Sequence, residues 1–249
     1  MITQTRSRFG IRVRDVFFAD APCAADAVDI DVYVQCAVRF PGSTEFRTLH
    51  IDLRRERDAI WNAVASSCRY KIRRARDRDG VSCTITAAPD AAAVDRFAAF
   101  YDEEAARGGF RHANRERLRY LAATEALTLG EARDAAGQLV CAHAHMTDGR
   151  RARLLYSASS FRPLAGSDAR SAVGRANRLL HWVEIEHFRE RGLEIYDFGG
   201  ISTDGKTAGI DWFKRQFGGR EVTEYNARVG VSAIGRLALR LYGFVMTKT

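Results

Sequence analysis

The chain has 249 residues, of which 46% are hydrophobic and 28% charged, and its formal net charge is +8 at pH 7. This composition excludes a disordered or collagen-like chain and is ordinary for a globular protein that buries a core. The basic excess suits an anionic partner, and CoA, a nucleotide-sugar, tRNA and an anionic lipid surface all qualify.

The five cysteines are scattered along the chain, and no pair has the spacing of a metal site. Residues 1–14 contain arginines but no apolar signal-peptide core, and no apolar run approaches the ~18 residues of a spanning helix. An odd number of cysteines without a secretory signal indicates reduced thiols. We therefore predict a cytoplasmic protein.

The first 58 residues are predicted to form a β-rich extension, with strands over 9–19, 28–40 and 46–53. The main domain is predicted over residues 59–249. It begins with a helix over 59–79 that Gly80 ends, and the second half of this helix is strongly basic. That half is interpreted either as a solvated surface or as an anion-binding surface. Its basic residues are Arg69, Lys71, Arg73, Arg74, Arg76 and Arg78.

The middle of the chain alternates strands and helices, and Asp90 is the predicted N-cap of the first long helix. Asp148-Gly149 is a strong hairpin signal. The predicted elements are a strand over 81–86, helices over 91–107 and 114–126, strands over 127–133, 139–147 and 152–159, a helix over 169–191, a strand over 193–198, a helix over 209–217 and a strand over 221–231.

The tail, residues 234–246, is apolar and carries Arg236 and Arg240 four residues apart. This pattern indicates an amphipathic helix. Docking on its own domain is favoured over lying on a membrane surface.

Three blocks in the second half of the chain resemble the FemAB-like branch of the GNAT (acyl-CoA N-acyltransferase) superfamily. They are Gly174-Arg-Ala-Asn-Arg-Leu-Leu-His-Trp182, Tyr196-Asp-Phe-Gly-Gly200 and Gly209-Ile-Asp-Trp-Phe-Lys-Arg-Gln-Phe-Gly-Gly219. The basic stretch from Tyr70 to Gly80 is similar to the same family. The resemblance covers about residues 60–230. It implies an α+β fold in which a mixed, largely antiparallel sheet is flanked by helices, with the N-terminal β-rich extension added.

The resemblance also implies an acyltransferase that uses an acyl-CoA co-substrate. Peptidyl-bridge FemAB enzymes usually carry two complete GNAT-like domains, whereas this chain has room for one and a partial one. This difference favours CoA over tRNA as the donor.

In a GNAT fold the strand before the long helix diverges from its neighbour, and the pantetheine lies in the gap. The N-terminus of the long helix offers free N–H groups to the pyrophosphate. The region implied here is 167–177, although its spacing departs from the usual acetyl-CoA loop. Its predicted cofactor-binding residues are Arg170, Ser171, Gly174, Arg175 and Asn177.

Lys214 is the predicted catalytic residue that stabilises the oxyanion formed when an amine attacks a thioester or ester. Asp197 is predicted to orient the substrate or accept the amine proton. His143, which alternates with His145 on one strand face, is the candidate general base. Structural readings stay open for all of them: a surface lysine, a turn-capping aspartate and structural histidines.

The predicted substrate-binding residues are Arg162, His145, His181 and Phe213. Arg162 could bind an acidic acceptor bidentately, and His181 shares a helix face with Asn177. The spacing of His143 and His145 would allow a metal, but no third ligand is evident, so we predict no metal.

The leading hypothesis is a CoA-dependent N-acyltransferase in cell-envelope polysaccharide biosynthesis, with a small-molecule amine or nucleotide-sugar as acceptor. The alternatives are aminoacyl transfer from tRNA, which would use the basic helix for RNA contacts, and a non-catalytic GNAT-shaped module that binds a nucleotide or a membrane surface.

Overall fold

The structure is a computed structural model that describes residues 1–24, 27–161, 166–202, 205 and 208–246. These residues form two compact units, residues 49–220 and residues 1–48 with 221–249. The elements are β1 (Ile2–Arg8), β2 (Ile11–Phe17), β3 (Ile30–Cys36), β4 (Thr44–Asp52), α1 (Arg57–Ala63), α2 (Ser66–Asp77), β5 (Ser82–Ala87), α3 (Ala91–Gly108), α4 (Arg115–Ala123), β6 (Leu127–Arg133), β7 (Leu139–Thr147), β8 (Arg151–Ser159), α5 (Ser167–Glu190), β9 (Ile195–Gly200), α6 (Ala208–Arg215), β10 (Arg220–Gly230) and α7 (Ala233–Met246).

The larger unit is built on the strand order β9-β8-β7-β6-β5. Strands β5 to β8 pair antiparallel. Short turns such as Asp148-Gly149 join β6 to β7 and β7 to β8, whereas α3 and α4 connect β5 to β6, and β8 and β9 pair parallel with α5 between them. The interior residues of β7 are all buried, which marks it as a central strand covered on both faces.

Helix α5 supplies much of the core of this unit. Its buried positions recur at helical spacing, and α2 packs against it. The rings of Trp61 and Trp182 lie 4.5 Å apart, centroid to centroid, where α1 meets α5. The core beneath these helices is an aliphatic and aromatic cluster that includes Leu49, Ile51, Leu53, Ile60, Ile72, Leu179, Ile185, Phe188, Tyr196, Phe198 and Phe217.

The predicted single helix over 59–79 is wrong, because the structure has two helices, α1 and α2. Val64 and Ala65 adopt extended backbone conformations between them. The Ala65 N–H donates to the carbonyl of Gln216 at 2.8 Å. A partner about 150 residues away in the chain therefore breaks a stretch that has no glycine or proline of its own.

Steric constraints explain why glycine occupies both positions of the Gly218-Gly219 pair after α6. Both residues have positive φ, at 76° and 93°. A Cβ at Gly218 would lie 2.8 Å from the carbonyl oxygen of Ala63, and one at Gly219 would lie 2.6 Å from that of His50. Only glycine permits this conformation and this approach together.

The smaller unit has the strand order β1-β2-β3-β10. The predicted strand over 9–19 is confirmed as β2, but its antiparallel partner β1 was not predicted. Phe9 and Gly10 have positive φ in the turn between the two strands. A buried ion pair joins Arg14 to Asp31 at 2.8 Å. Helix α7 confirms the predicted C-terminal helix. None of the described helices is both long enough and apolar enough to cross a bilayer.

The predicted fold class is confirmed: a mixed, largely antiparallel sheet is flanked by helices. The unit boundaries fall inside β4 and at the start of β10. The division into a 1–58 extension and a 59–249 domain stays a prediction.

Candidate functional site

Strands β8 and β9 pair only at their beginnings. The register runs from Arg151 opposite Ile195 to Arg153 opposite Asp197, and no later pair joins the described residues of the two strands. A cavity of about 410 Å³ includes residues from both strands in its wall. Its described lining comes from α3, β8, α5, β9 and α6, together with Phe110 and Phe161: Tyr101, Glu104, Ala105, Phe110, Leu154, Ser157, Ala158, Ser159, Phe161, Asn177, His181, Phe198, Gly209, Ile210, Phe213 and Lys214.

Lys214 lines this cavity from the last turn of α6. Its Nζ donates to the carbonyl oxygen of Gly200 at 2.5 Å, at the end of β9. Burial lowers the pKa of Lys214 to about 8, against the opposing effect of the Asp211 and Asp197 charges. The side chain is therefore a fixed ammonium at neutral pH whose proton is held less tightly than usual.

Asp197 is fully buried, and its carboxylate accepts a hydrogen bond from the Gly199 N–H at 2.8 Å. The nearest cationic nitrogen of Arg151 lies 3.5 Å away, and His50 Nε2 lies at the same distance. Burial would raise the pKa of Asp197, but His50 and the charges of Arg153 and Arg151 hold it well below its ordinary value. This side chain stays ionised, which disfavours its predicted use as a proton acceptor.

His143 joins a buried polar cluster between β7 and α5. One ring nitrogen, Nδ1, lies 2.8 Å from Glu184 Oε1, and the other, Nε2, lies 2.8 Å from Asn177 Oδ1. An imidazolium that donates from both nitrogens satisfies this arrangement, as does a neutral ring with the Asn177 amide turned over. Asn177 lines the cavity, so His143 reaches the site through it.

Tyr196 continues the cluster on the other side of Glu184. Its hydroxyl donates to Glu184 Oε2 at 2.9 Å and lies 2.7 Å from His181 Nδ1 and 3.2 Å from His145 Nε2. Burial would raise the pKa of Glu184, but His143 and His145 and the hydrogen bond from Tyr196 lower it. One carboxylate therefore organises three histidines and a tyrosine.

The two predicted substrate-binding histidines differ in position. His181 lines the cavity and packs against Phe213, with ring centroids 5.5 Å apart. His145 is fully buried and touches Phe188 and Tyr196, and burial lowers its pKa to about 4. Burial also holds the pKa of His181 well below its ordinary value. Both rings are thus neutral at pH 7.

Gly130 makes room for this cluster. It lies directly opposite His143 in the β6–β7 register. A Cβ at this position would come within 2.3 Å of Glu184 Oε1. Any larger residue would therefore push the carboxylate away from His143.

The predicted cofactor-binding residues separate along α5. Arg170 and Ser171 are exposed in its first turns, and Gly174 is half-buried. Arg175 donates from Nε to Asp79 at 2.5 Å, whereas Asn177 belongs to the cavity wall. The structure thus brings Asn177 together with His181, Phe213 and Lys214 and leaves the others apart. Arg162 lies outside the described residues. Neither Asp197 nor His143 is among the described residues that line the cavity.

Three residues of this cluster form one group that could hold a metal ion. His143, His181 and Glu184 each offer one ligand atom, and these atoms lie within 4.8 Å of one another. The hydrogen bonds to Asn177 and Tyr196 engage the same side chains. The absence of a metal stays a prediction.

Two glutamates of the site were missed in the sequence. Glu184 stands three residues after His181 within an apolar helix face, and that spacing was the available signal. Glu104 sits in the last turns of α3, lines the cavity and is only 3% exposed. Nothing in its surroundings along the chain distinguishes it from its exposed neighbour Glu103.

The basic half of α2 forms a separate surface. Tyr70, Arg73, Arg74 and Arg78, with Asp77, line a shallow depression of about 190 Å³. Tyr70 is 52% exposed there, whereas Arg69 turns inward and donates to the carbonyl of Val64 at 2.8 Å. The predicted anion-binding surface is thus reduced to part of its arginines.

Comparisons with known proteins agree with this architecture. The family described as "Acetyltransferase (GNAT) domain" matches residues 63–215. No curated protein sequence matches the chain. FemX superposes with a TM-score of 0.56 at 16% identity, over 72% of this chain and 61% of FemX, so the chain spans less than two thirds of that protein.

Two further structures align over nearly the whole chain. L-PGS from Bacillus licheniformis gives a TM-score of 0.53 at 12% identity, over 97% of this chain and 85% of that one. A C-terminal DUF2156 domain from Agrobacterium fabrum gives a TM-score of 0.58 at 13% identity, over 96% of this chain and 83% of that domain. At these identities the similarity shows a shared fold. Because the family match spans more than half of its residues, the chain belongs to the GNAT acetyltransferase-domain family.

Proposed function

We propose that this GNAT acyltransferase domain transfers an acyl group from acyl-CoA to the amine of an amino sugar or a similar small acceptor, in cell-envelope polysaccharide biosynthesis. The observation that carries the proposal is the Lys214 ammonium in the wall of the cavity between β8 and β9. No other described lysine or arginine lines that cavity.

The chemistry needs a charge where the oxyanion forms. The amine lone pair attacks the thioester carbonyl carbon, a C–N bond forms, and the carbonyl oxygen becomes negative. Collapse of this intermediate breaks the C–S bond and releases CoA as its thiol, which takes up the proton that the amine loses. The Lys214 ammonium donates a hydrogen bond to the oxyanion in a site shielded from water, where such a contact is strong.

The buried cluster supports this site by positioning. Glu184 fixes His143, His143 fixes Asn177, and Tyr196 fixes His181, so two polar side chains of the wall are held by groups behind them. Because His181 is neutral, its role is to accept a hydrogen bond from the ligand rather than to take its proton. In this proposal His143 acts through Asn177 and is a positioning residue.

The acyl-CoA donor would place its pyrophosphate at the start of α5. The first N–H groups of a helix have no partner within it and attract phosphate. Arg170 and Ser171 are exposed in these turns and would contact the donor, while Asp168 opposes it by charge. We place the reaction in the cytoplasm because all five cysteines are free thiols.

A thiol-release assay tests the proposal. Purified protein is supplied with acetyl-CoA or longer acyl-CoAs and a panel of amino sugars and simple amines, and acylated product is identified by mass spectrometry. We expect Lys214→Met to lower kcat/KM by about 100-fold or more, as for loss of an oxyanion donor.

Arg215→Met is the matched control. Arg215 is the next residue of α6, is exposed and does not belong to the described cavity wall. Its loss should leave kcat/KM within about twofold, as expected for an exposed charge. Equal rates for Lys214→Met and wild type would refute the proposed role of Lys214. No acyl transfer by the wild type with any acyl-CoA would favour a non-catalytic GNAT-shaped binding module.

Aminoacyl transfer from tRNA is the second candidate, and the depression on α2 favours it. An exposed tyrosine beside three arginines suits stacking on a base and contacts to phosphates. Under this candidate, tRNA binding weakens steeply as salt rises, and the double variant Arg73→Ala/Arg74→Ala flattens that dependence. Activity with acyl-CoA and no tRNA binding would decide against it.

A further inference from the structure

Glu104 places a buried hydrogen-bond acceptor in the wall of the cavity. It lies near the end of α3, lines the cavity and is 3% exposed. Its Oε1 pairs with Arg107 one turn later. Its Oε2 is buried and makes no hydrogen bond with the described part of the chain. A buried carboxylate oxygen left in this state is costly unless a ligand or water meets it.

The surroundings define what that ligand presents. Apart from Asn177, His181, Lys214 and two serines, the described wall is mainly aromatic and aliphatic. An ionised carboxylate only accepts hydrogen bonds. The complementary group is therefore a donor with positive charge on an apolar stem, and an ammonium gives the stronger, charge-assisted bond.

We propose that Glu104 is a specificity-determining residue whose Oε2 binds a cationic amino group of the ligand in this cavity. The cavity then has two charged ends, a carboxylate on α3 for an amino group and the Lys214 ammonium on α6 for a carbonyl oxygen. An acceptor bound here as an ammonium gives one proton to water before the lone pair of the resulting amine attacks. This inference deepens the proposed function, and rests on it for the identification of that ligand as the acceptor.

A matched pair of small probes tests the inference without any acyl transfer. Hexylammonium and 1-hexanol have the same apolar stem and differ in the charge of the head group. Their affinities for the full chain are measured by ligand-observed NMR titration at pH 7 and low salt. We expect hexylammonium to bind the wild type about tenfold more tightly than hexanol, as for one hydrogen bond to a charged group.

Two variants assign the preference to one residue. Glu104→Gln keeps the shape of the side chain and removes its charge, so we expect the two probes to bind within about twofold of each other. Glu103→Gln removes the neighbouring charge, which is 62% exposed and pairs with the same Arg107, and should leave the tenfold preference intact. Binding of hexanol to both variants shows that the cavity is still folded.

Three results would overturn the inference: equal affinities of the two probes for the wild type, no binding of either probe, or a preference that survives in Glu104→Gln. Acyl transfer is not measured in this experiment. A protein that prefers hexylammonium through Glu104 but acylates no amine would therefore refute the proposed function alone.

Discussion

Polar residues in the first turns of helix α5 differ in burial from those in its middle. In the first turns Asp168, Arg170 and Ser171 are exposed. In the middle, His181 and Glu184 are buried and bound to side chains from β7 and β9. The exposure of a polar residue at the start of a helix can be predicted from its position alone. The burial of one in the middle depends on partners from other elements.

The difference has a physical origin. Exposed charges are solvated in any fold and lose little when a contact is removed. Buried charges are tolerated only with partners, and removing one partner leaves the others uncompensated. The exposed polar positions in the first turns of α5 should therefore tolerate substitution, whereas the buried polar positions in its middle should not.

The largest effect on stability is expected for Glu184→Gln. Its carboxylate is shared by His143 and Tyr196, so loss of its charge should lower the free energy of unfolding by about 3–5 kcal/mol. Urea denaturation measures the change. Glu186→Gln on the same helix, which breaks a contact with the exposed Arg57, should cost about 1 kcal/mol or less. Equal losses of unfolding free energy in the two variants would contradict the expected difference between buried and exposed positions.

A pair of glycine substitutions sharpens the comparison. Gly130→Ala places a Cβ against Glu184 and should destabilise the protein by about 1–3 kcal/mol through overpacking. Gly174→Ala lies in α5, where the nearest atom to a new Cβ is Arg178 Nη1 at 3.6 Å. It should be neutral or stabilise the protein by up to about 1 kcal/mol through helix propensity. Thermal unfolding of both variants measures these changes in stability. A Gly130→Ala variant as stable as the wild type would show that the Glu184 carboxylate does not need the space beside Gly130.

The pH dependence of acyl transfer tests the protonation state of Lys214 in the cavity wall. The protonated form of Lys214 is the active one, and its pKa is about 8. The acyl-transfer rate constant of the wild type, relative to that of Lys214→Arg, should be level below pH 8 and fall about tenfold per unit above it, because arginine stays protonated. A ratio independent of pH between 7 and 10 would show that Lys214 does not act as an ammonium.

The smallest effect is expected in the exposed half of α5. Arg170→Ala should raise the KM for acyl-CoA about two- to fivefold and leave kcat unchanged, as for one exposed ion pair. The difference in KM between Arg170→Ala and the wild type should become smaller as the salt concentration is raised. An unchanged KM at low salt would remove Arg170 from the donor site.

Local signals in the sequence were sufficient for much of the fold. Asp90 was predicted as an N-cap, and its side chain accepts from the Ala93 N–H at 2.7 Å. The hairpin at Asp148-Gly149 and the helix of the tail also formed as predicted. Each of these features depends on residues a few positions apart, so the chemistry that produces it is visible in a short window.

The errors have one cause in common. The break at Val64 and Ala65 depends on the carbonyl of Gln216, which no local pattern reveals. The burial of Asp197 and His143 behind the cavity wall was not predicted, because it depends on how strands and helices pack. Their catalytic roles stay predictions. Glu104 and Glu103 look alike in the sequence, and only the packing of α3 buries one of them.

The sequence by itself determined the family resemblance and the class of fold, because glycine pairs, helix caps and periodic apolar positions act over short distances. Only the tertiary structure decided which polar groups meet. Hydrogen bonds such as those of Glu184 with His143 and Tyr196 join residues from three elements, and their geometry exists only once the chain has packed.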